Sequence, residues 1–464
     1  MSNIHTMGWS ESRINKSAKR DDFLNEGTSD IRFNSQKKYY GFRRFPDQKK
    51  VRKPTIKAIE VSPPKLVGHF ETDRFGKNLM LDGSDGRMRV YNLPVEQKHV
   101  VIQTKDSDVE DVVDDWEELF ENESKAAAPL HTVTIPDCYD LDFDLLNGYV
   151  PLKDGGNQIS LQGIPCDRTA GMRWMVKNRQ KLKCEDGSRL FDVDFYAGNA
   201  ALQLIMSCQF NRHEKKAIVA VILFKGTHFL FLIDPQNERI HEVSNKLSFS
   251  GIRFEDYVSR GENGEESKPS SGLLNNYGDF AKYSNVVRFN FHNFKMLVTG
   301  NVDCMIPGSS AAGKKPKAED FIELKTSAPL EDKYDKSRMS QDFCCSKSSS
   351  WFAQCVMMGV KNVVVGIRDA DEGCRKITVK KTRTFTLEQL QQNSNGFWSK
   401  NQCFDVLKKF LCAVKQKVTE DNPDIINIFE VEDGFIRGPE KRTYSDDSVR
   451  YPDISEVVEL MNKL

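Results

Sequence analysis

This chain of 464 residues has no net charge and no long apolar run. Lysine plus arginine and aspartate plus glutamate both total 67, so overall charge does not indicate nucleic acid, and any phosphate-binding surface must be a local patch. The longest apolar stretch, around residues 217–224, is far too short to cross a bilayer. The first seven residues contain no apolar region of the signal-peptide type. We therefore expect a soluble protein with no membrane partner.

Cysteine patterns that would indicate a disulfide framework or a zinc ribbon are absent from the sequence. The eleven cysteines are odd in number and scattered, and no pair has the C-x-x-C spacing. This usage favours a reducing intracellular compartment.

The first 60 residues are polar and basic and contain few aliphatic side chains that could form a core. We expect this segment to be largely disordered. Its basic cluster at residues 49–53 fits a nuclear-import signal or an RNA-contacting arm, and it fits an ordinary solvated chain equally well. The first of these interpretations favours a nuclear location, with the cytoplasm as the other compartment.

The rest of the chain, residues 61–464, is long enough for one large catalytic domain with insertions. Ten acidic residues between positions 106 and 123 are interleaved with apolar residues at helical spacing, which predicts an acidic surface helix or linker. Segments 260–271 and 307–317 are rich in glycine and serine and predict surface loops. The sequence indicates no particular protein partner.

Strand and helix patterns alternate through this region, which predicts a mixed α/β fold. The expected strands lie at 191–196, 218–224, 228–233, 294–298, 321–325 and 363–365, the second and third of them forming a hairpin. The expected helices lie at 199–206, 348–358 and 403–418. Gly359 is expected to end the second of these helices.

An acid and a lysine stand two residues apart within the short apolar segment Phe321-Ile-Glu-Leu-Lys-Thr-Ser327. In a strand, residues i and i+2 point to the same face, so Glu323 and Lys325 are expected to project together while Ile322 and Leu324 pack behind them. One strand then offers both a metal ligand and a cation.

Asp303 follows a predicted strand and is separated from Glu323 by nineteen residues. Two adjacent strands could therefore bring both carboxylates to one metal site, with Lys325 beside them. Carboxylates hold Mg²⁺ or Mn²⁺, and a lysine positions the nucleophile or stabilises developing charge. The order D, then E-x-K, is that of the PD-(D/E)XK nuclease core, although the spacing alone also fits ordinary surface charge on an exposed strand.

A set of short motifs extends this pattern in a fixed order from about residue 67 to the C-terminal helix. The motifs are Gly68-His-Phe-Glu-Thr-Asp-Arg74, Phe143-Asp-Leu-Leu-Asn-Gly-Tyr149, Phe254-Glu255, Val302-Asp303-Cys304, Glu323-Leu-Lys-Thr-Ser327, Trp351-Phe-Ala-Gln354 and Gly359-Val-Lys-Asn-Val-Val-Val-Gly366. This ordered set resembles the DXO-type decapping exoribonucleases of eukaryotes. The resemblance implies two mixed sheets with flanking helices, a PD-(D/E)XK-like core, a deep pocket for an RNA 5′ end, and paired Mg²⁺ or Mn²⁺ ions.

Members of that family remove incomplete or non-canonical caps, convert 5′-triphosphate ends and degrade 5′-monophosphate RNA in the 5′ to 3′ direction. The resemblance thus implies RNA 5′ ends as the partner and RNA quality control as the role. It also implies that Glu255, Asp303 and Glu323, with the backbone carbonyl of Leu324, bind metal, and that these three carboxylates and Lys325 are catalytic. Without the resemblance, Glu255 would be read as an exposed charged loop residue.

The substrate-binding positions implied by the resemblance are Lys325, Gln354, Asn301 and Ala197, and the last two depart from the family pattern. Asn301 stands where the family has glutamate, so it offers an amide oxygen but no charge. Ala197 stands where the family has arginine, which removes a cation that would face phosphate. The sequence therefore leaves two functions open: an active metal-dependent RNA 5′-end hydrolase of reduced or shifted specificity, and a non-catalytic RNA 5′-end binding or regulatory protein of the same fold.

Overall fold

The computed structural model describes residues 58–72, 79–80, 89–91, 139–146, 149, 153–154, 157–158, 169–185, 187, 189, 191–211, 217–233, 242–261, 282–306, 316–371, 374–432, 434–444 and 452–463. The basic cluster at 49–53 and the acidic segment at 106–123 lie outside these residues, as do most of the expected loops at 260–271 and 307–317. The division into a basic segment of 60 residues and one following domain therefore stays a prediction.

The described residues form strands and helices in the alternating order that the sequence predicts. The strands are β1 Lys65–Thr72, β2 Leu79–Met80, β3 Arg89–Tyr91, β4 Tyr139–Asp144, β5 Lys153–Asp154, β6 Asn157–Gln158, β7 Phe195–Gly198, β8 Ala217–Phe224, β9 Thr227–Ile233, β10 Ser259–Gly261, β11 Lys282–Phe291, β12 Phe294–Val302, β13 Cys304–Met305, β14 Phe321–Ser327, β15 Asn362–Ala370, β16 Ile377–Thr386, β17 Ile425–Glu432 and β18 Phe435–Thr443. The helices are α1 Ala170–Lys177, α2 Arg179–Leu182, α3 Asn199–Ser207, α4 Glu242–Val258, α5 Ser348–Met358, α6 Leu387–Gln392, α7 Lys400–Lys417 and α8 Pro452–Lys463. A short 3₁₀ helix, Ala318–Asp320, precedes β14, and a π-helical turn, Phe343–Lys347, leads into α5.

Most of the strands belong to two mixed sheets. The larger sheet has the order β18-β17-β8-β9-β7-β12-β11-β1-β2, and β7 is parallel to both of its neighbours. The smaller sheet has the order β10-β3-β13-β14-β15-β16-β4, and β14 is parallel to β15. Strands β5 and β6 form a separate pair. The predicted mixed α/β fold with two sheets and flanking helices is confirmed.

The apolar faces of the helices and sheets determine how they stack in layers. Helices α3, α5 and α7 share the largest core cluster with side chains from both sheets, so they lie between the sheets. Helices α1 and α8 cover the other face of the larger sheet. Helix α4 covers the other face of the smaller sheet, where its Phe254 packs with Ile322 and Leu324 of β14. Strand β14 is therefore buried on both faces.

Two glycines set local geometry near the middle of this structure. Gly359 ends α5 with φ of 74°, as expected for a helix C-terminus in the left-handed conformation. At Gly300 in β12, a Cβ atom would lie 2.8 Å from both Asn199 Cβ and Met358 Sδ. The absence of a side chain at Gly300 therefore lets β12 approach α3 and α5 closely.

The predicted strand at 191–196 is wrong in its first half, because β7 begins only at Phe195. The aspartates that gave the alternating pattern bind side chains instead: Asp192 pairs with Arg288 and Lys295. Asp194 accepts hydrogen bonds from Arg189 (2.7 Å), Lys415 (3.2 Å) and the Lys295 backbone N–H (2.8 Å). Burial acts to raise the pKa of Asp194, but these partners outweigh it and hold the pKa below its usual value.

The remaining predicted elements are confirmed, with longer bounds for several strands. Strands β12, β14 and β15 continue through polar residues because those residues stay paired with neighbouring strands. Helix α7 begins at Lys400, three residues before the predicted start, because the Ser399 side chain accepts the Gln402 N–H and caps the helix. None of the helices in the described part of the chain is long and apolar enough to span a bilayer.

Candidate active site

Strand β14 presents different chemistry on its two faces. Ile322 and Leu324 contact α4, whereas Glu323 and Lys325 face the other way, toward α5. Lys325 Nζ donates to Glu323 Oε1, so the contact that strand periodicity predicts is present. The apolar face anchors the strand, and this leaves the acid and the lysine in fixed positions on the opposite face.

The Glu323 carboxylate is nearly inaccessible to solvent, with 3% of the residue exposed. Its Oε1 accepts hydrogen bonds from Lys325 Nζ and from Gln354 Nε2 of α5, the latter at 2.5 Å. Burial, together with the negative charge of Asp303, raises the pKa of Glu323 to about 7, although both donors favour the charged form. Among hydrogen bonds between described residues none uses Oε2, which leaves that oxygen available to a cation.

Asp303 lies between β12 and β13, and its Oδ2 accepts the backbone N–H of Leu324 at 2.7 Å. This bond places a second carboxylate beside Glu323. The predicted pairing of the two strands is wrong, because β12, which precedes Asp303, belongs to the larger sheet; it is β13, directly after Asp303, that pairs with β14. Burial acts to lower the pKa of Lys325, but the charges of Glu323 and Asp303 outweigh it and hold the pKa above its usual value. Lys325 is therefore a charged ammonium group facing two acidic side chains.

Gln354 is held in place from the side of α3. Asn199 Nδ2 donates to the backbone oxygen of Gln354 at 2.8 Å, and one turn further on Gln203 Nε2 donates to Ser350 Oγ at 2.8 Å. Asn199 is buried, with 6% of the residue exposed. Sequence reasoning missed this residue. An asparagine at the start of a helix, directly after Gly198, was the signal that could have identified it.

The two positions that depart from the family pattern do not take part in this hydrogen-bonded group. Asn301 is exposed in β12, opposite Ser284 of β11, and its Oδ1 accepts the Ser284 hydroxyl at 2.7 Å. Ala197 is fully buried in β7 among core side chains, so it presents no surface to a phosphate. Within the described structure neither side chain hydrogen-bonds to Glu323 or Lys325.

Glu255 lies in helix α4 and is partly buried, so its interpretation as an exposed loop residue is wrong. Its neighbour Phe254 packs on the face of β14 opposite to Glu323. Among the described residues, no three histidine, cysteine, aspartate or glutamate side chains form a group that could hold a metal ion. The assignment of Glu255 as a third ligand beside Asp303 and Glu323 therefore stays a prediction.

The donor chemistry of the group nevertheless fits a hard divalent cation. Asp303 and Glu323 supply carboxylate oxygens, which Mg²⁺ prefers, and the backbone oxygen of Leu324 is of the same hard type. Glu323 is buried beside the partly buried Asp303, and its pKa is raised first by burial and then by repulsion between the two carboxylates. A cation between them would relieve this repulsion.

Comparison with known proteins places this chain among nucleases. A family model described as "RAI1 like PD-(D/E)XK nuclease" matches residues 63–434. The decapping and exoribonuclease protein of Xenopus laevis is 26% identical over 384 residues, which are 80% of this chain and 80% of the relative.

Solved structures show the same fold at lower identity. The Rai1 of Scheffersomyces stipitis matches with a TM-score of 0.58 at 17% identity, covering 87% of this chain and 98% of that chain. The Rai1 of Candida albicans, in complex with pU5-Mn²⁺, matches with a TM-score of 0.56 at 15% identity, covering 88% of this chain and 96% of that chain.

Proposed function

Because the chain belongs to the RAI1-like PD-(D/E)XK nuclease family, we propose that it hydrolyses phosphodiester bonds at RNA 5′ ends. The proposed reactions are removal of incomplete or non-canonical caps and 5′-triphosphate ends, and degradation of RNA in the 5′ to 3′ direction. The name of the Xenopus laevis relative, decapping and exoribonuclease protein, supports these reactions. The structural observation that carries the proposal is the contact of Lys325 and Gln354 with the buried Glu323 carboxylate beside Asp303.

The proposed cofactor is a divalent metal, Mg²⁺ or Mn²⁺. The Mn²⁺ complex of the Candida albicans protein supports this choice. Asp303, Glu323 and the Leu324 carbonyl would hold the ion, with Glu255 as a further ligand. When bound, such an ion activates water and neutralises phosphate charge. We propose two ions, as the family resemblance implies, and expect the second to bind more weakly because Asn301 brings no charge.

The chain's own side chains have separate tasks in this proposal. Lys325 is charged, and its side chain is 24% exposed, so it can stabilise negative charge on the phosphate that is attacked. Gln354 holds the Glu323 carboxylate in one orientation through Nε2, and its amide has a second N–H for the substrate. Because these contacts are already formed, the Lys325 ammonium and the Glu323 carboxylate need little rearrangement when RNA binds.

A second function, RNA 5′-end binding without turnover, is favoured by two specific observations. The Asn301 amide oxygen is engaged by Ser284 and carries no charge, so it cannot replace the glutamate that the family resemblance places there. The buried Ala197 supplies no cation for a 5′ phosphate. A protein with these changes would keep the fold but lack one carboxylate ligand and one phosphate-binding cation.

Turnover of defined RNAs separates the two functions. Purified protein is incubated with 5′-monophosphate and 5′-triphosphate RNA in Mg²⁺ and separately in Mn²⁺, beside a Glu323→Gln variant that keeps the side-chain size but removes the charge. Hydrolysis above the level of this variant supports the enzyme. No such product in either metal, with RNA binding retained, overturns the enzyme and supports the binding protein.

We propose that the protein acts in the nucleus, directed by the basic cluster at residues 49–53. A tagged protein lacking residues 1–60 is expected to stay in the cytoplasm. If that protein entered the nucleus as the full chain does, the cluster would not be required.

A further inference from the structure

Lys347 occupies a second cationic position beside the candidate active site. It is the last residue of the π-helical turn before α5, and such turns are frequent at functional sites. Its Nζ donates to Ser327 Oγ at 3.1 Å and pairs with Asp342 Oδ2 at 2.9 Å. The Lys347 side chain is 31% exposed, so it remains accessible from solvent.

The contact with Ser327 places Lys347 on the same face of β14 as the catalytic pair. Residues i, i+2 and i+4 of a strand share a face, so Ser327 lies in line with Glu323 and Lys325. Gln354 contacts the Glu323 end of this line, and Lys347 contacts the Ser327 end. Seven residues of helix span about 10.5 Å and four residues of strand span about 13 Å, so the two elements run alongside each other over this distance.

Along this face, Lys325 and Ser327 stand one strand repeat apart. From Lys325 to Ser327, which Lys347 contacts, the strand advances roughly 7 Å, a step that suits neighbouring phosphates of an extended single-stranded RNA. The acidic group Asp342 is 47% exposed and holds the Lys347 ammonium by a single ion pair. A phosphate can exchange with such a carboxylate, because an exposed ion pair is worth little.

We propose that Lys347 binds the RNA backbone phosphate next to the phosphate that lies at Lys325. This inference rests on the proposed function, and it names a further cation on the substrate path of a chain that has alanine at position 197. Asp342 keeps the Lys347 side chain in place until RNA replaces the carboxylate. Neutralising Lys347 then weakens RNA binding, and neutralising Asp342 strengthens it.

Salt dependence of RNA binding measures this contact directly. The probe is 5′-monophosphate pentauridylate, bound in the presence of a chelator so that it is not cut. Each phosphate contact with single-stranded nucleic acid contributes about 0.7 to the slope of log K against log salt concentration. Lys347→Ala is expected to reduce the slope by about 0.7 and to weaken binding at low salt roughly fivefold to tenfold. Asp342→Asn is expected to tighten binding severalfold.

The matched control is the ion pair between Lys409 and Asp405 on α7, which joins the same residue types at 2.6 Å. Lys409→Ala and Asp405→Asn make the same charge changes and are expected to leave slope and affinity unchanged. Lys347→Arg keeps the positive charge and is expected to keep the wild-type slope. Weaker RNA binding by Lys347→Ala would then be due to the lost phosphate contact and not to misfolding.

The outcomes distinguish this inference from the function on which it rests. If Lys347→Ala has the wild-type slope, or if Lys409→Ala loses as much slope and affinity as Lys347→Ala, the proposed phosphate contact is overturned. The proposed binding of RNA by the protein is not affected by either result. If the wild-type protein does not bind the probe at all, the proposed function is overturned together with the contact.

Discussion

Replacing Lys325 by methionine removes the cation that faces Glu323 and keeps an unbranched side chain of similar length. The Glu323 carboxylate is almost fully buried and lies beside the charge of Asp303. Removing one partner of a buried ion pair costs about 3–5 kcal/mol, because the remaining charge is left uncompensated. Gln354 still donates to Glu323, and the Lys325 side chain is 24% exposed, so water can reach the vacated position. We therefore expect a loss of about 3 kcal/mol.

This loss can be expressed as a melting temperature. Globular proteins unfold with an entropy of about 2.1 cal/mol/K per residue, which gives about 0.8 kcal/mol/K for a region the size of residues 63–434. Lys325→Met is then expected to lower Tm by about 4 °C. Glu323→Gln removes the charge that needs the cation, so the double variant is expected to recover most of the loss, with a coupling energy of about 2 kcal/mol.

Calorimetric melting of the wild-type protein, both single variants and the double variant, in chelator at neutral pH, completes this cycle. A Tm of Lys325→Met within 1 °C of wild type, or strictly additive changes in the four proteins, would refute the buried ion pair. The activity readout is separate: we expect no RNA hydrolysis from Lys325→Met, and full activity would remove the lysine from the mechanism.

Three further substitutions test other parts of the structure. Asn301→Glu is expected to raise hydrolysis and to lower the metal concentration for half-maximal activity, and an unchanged metal titration would count against a weakened second ion. Asn199→Ala loses the hydrogen bond to the Gln354 carbonyl, so kcat is expected to fall about tenfold with little change in KM. The control variant Gln203→Ala loses a hydrogen bond one turn away, and its kcat is expected to stay within twofold of wild type. Equal effects of the two substitutions would exclude a positioning role for Asn199. Asp194→Asn is expected to cost about 1–2 kcal/mol at neutral pH. The folded-state pKa of Asp194 lies below its unfolded value of about 3.9. The difference in Tm between wild type and Asp194→Asn should therefore be constant above pH 5 and shrink as the pH falls through the folded pKa. A Tm difference that grew toward acidic pH would contradict a lowered pKa of Asp194.

Local patterns are sufficient to predict the parts of the site that depend on one element. Glu323 and Lys325 were paired from strand periodicity alone, and their contact is present. Asp303 is expected beside them because its preceding strand should neighbour β14. It does lie there, but because the chain passes from β12 in the larger sheet to β13, which pairs with β14. The end of α5 at Gly359 followed from the glycine itself.

Features that depend on packing between distant segments could not be predicted in this way. Asn199 and Gln354 are separated by 155 positions, and their bond exists only because α3 and α5 pack together between the sheets. Lys347 reaches β14 through a π-helical turn that no sequence period indicates. Without the family resemblance, the charged neighbours of Glu255 suggest an exposed loop residue, but Phe254 and Val258 bury against the smaller sheet and the segment is helical.

The most direct measurement of the nuclease centre compares one RNA in two topologies, linear with a 5′ monophosphate and covalently circular, in the presence of Mn²⁺ or Mg²⁺. If the site around Glu323 acts on RNA 5′ ends, the wild-type protein degrades the linear RNA progressively from its 5′ end and leaves the circle intact, and Glu323→Gln degrades neither. Cleavage of the circular RNA, or equal degradation by wild type and Glu323→Gln, would contradict a 5′-end nuclease built on this carboxylate.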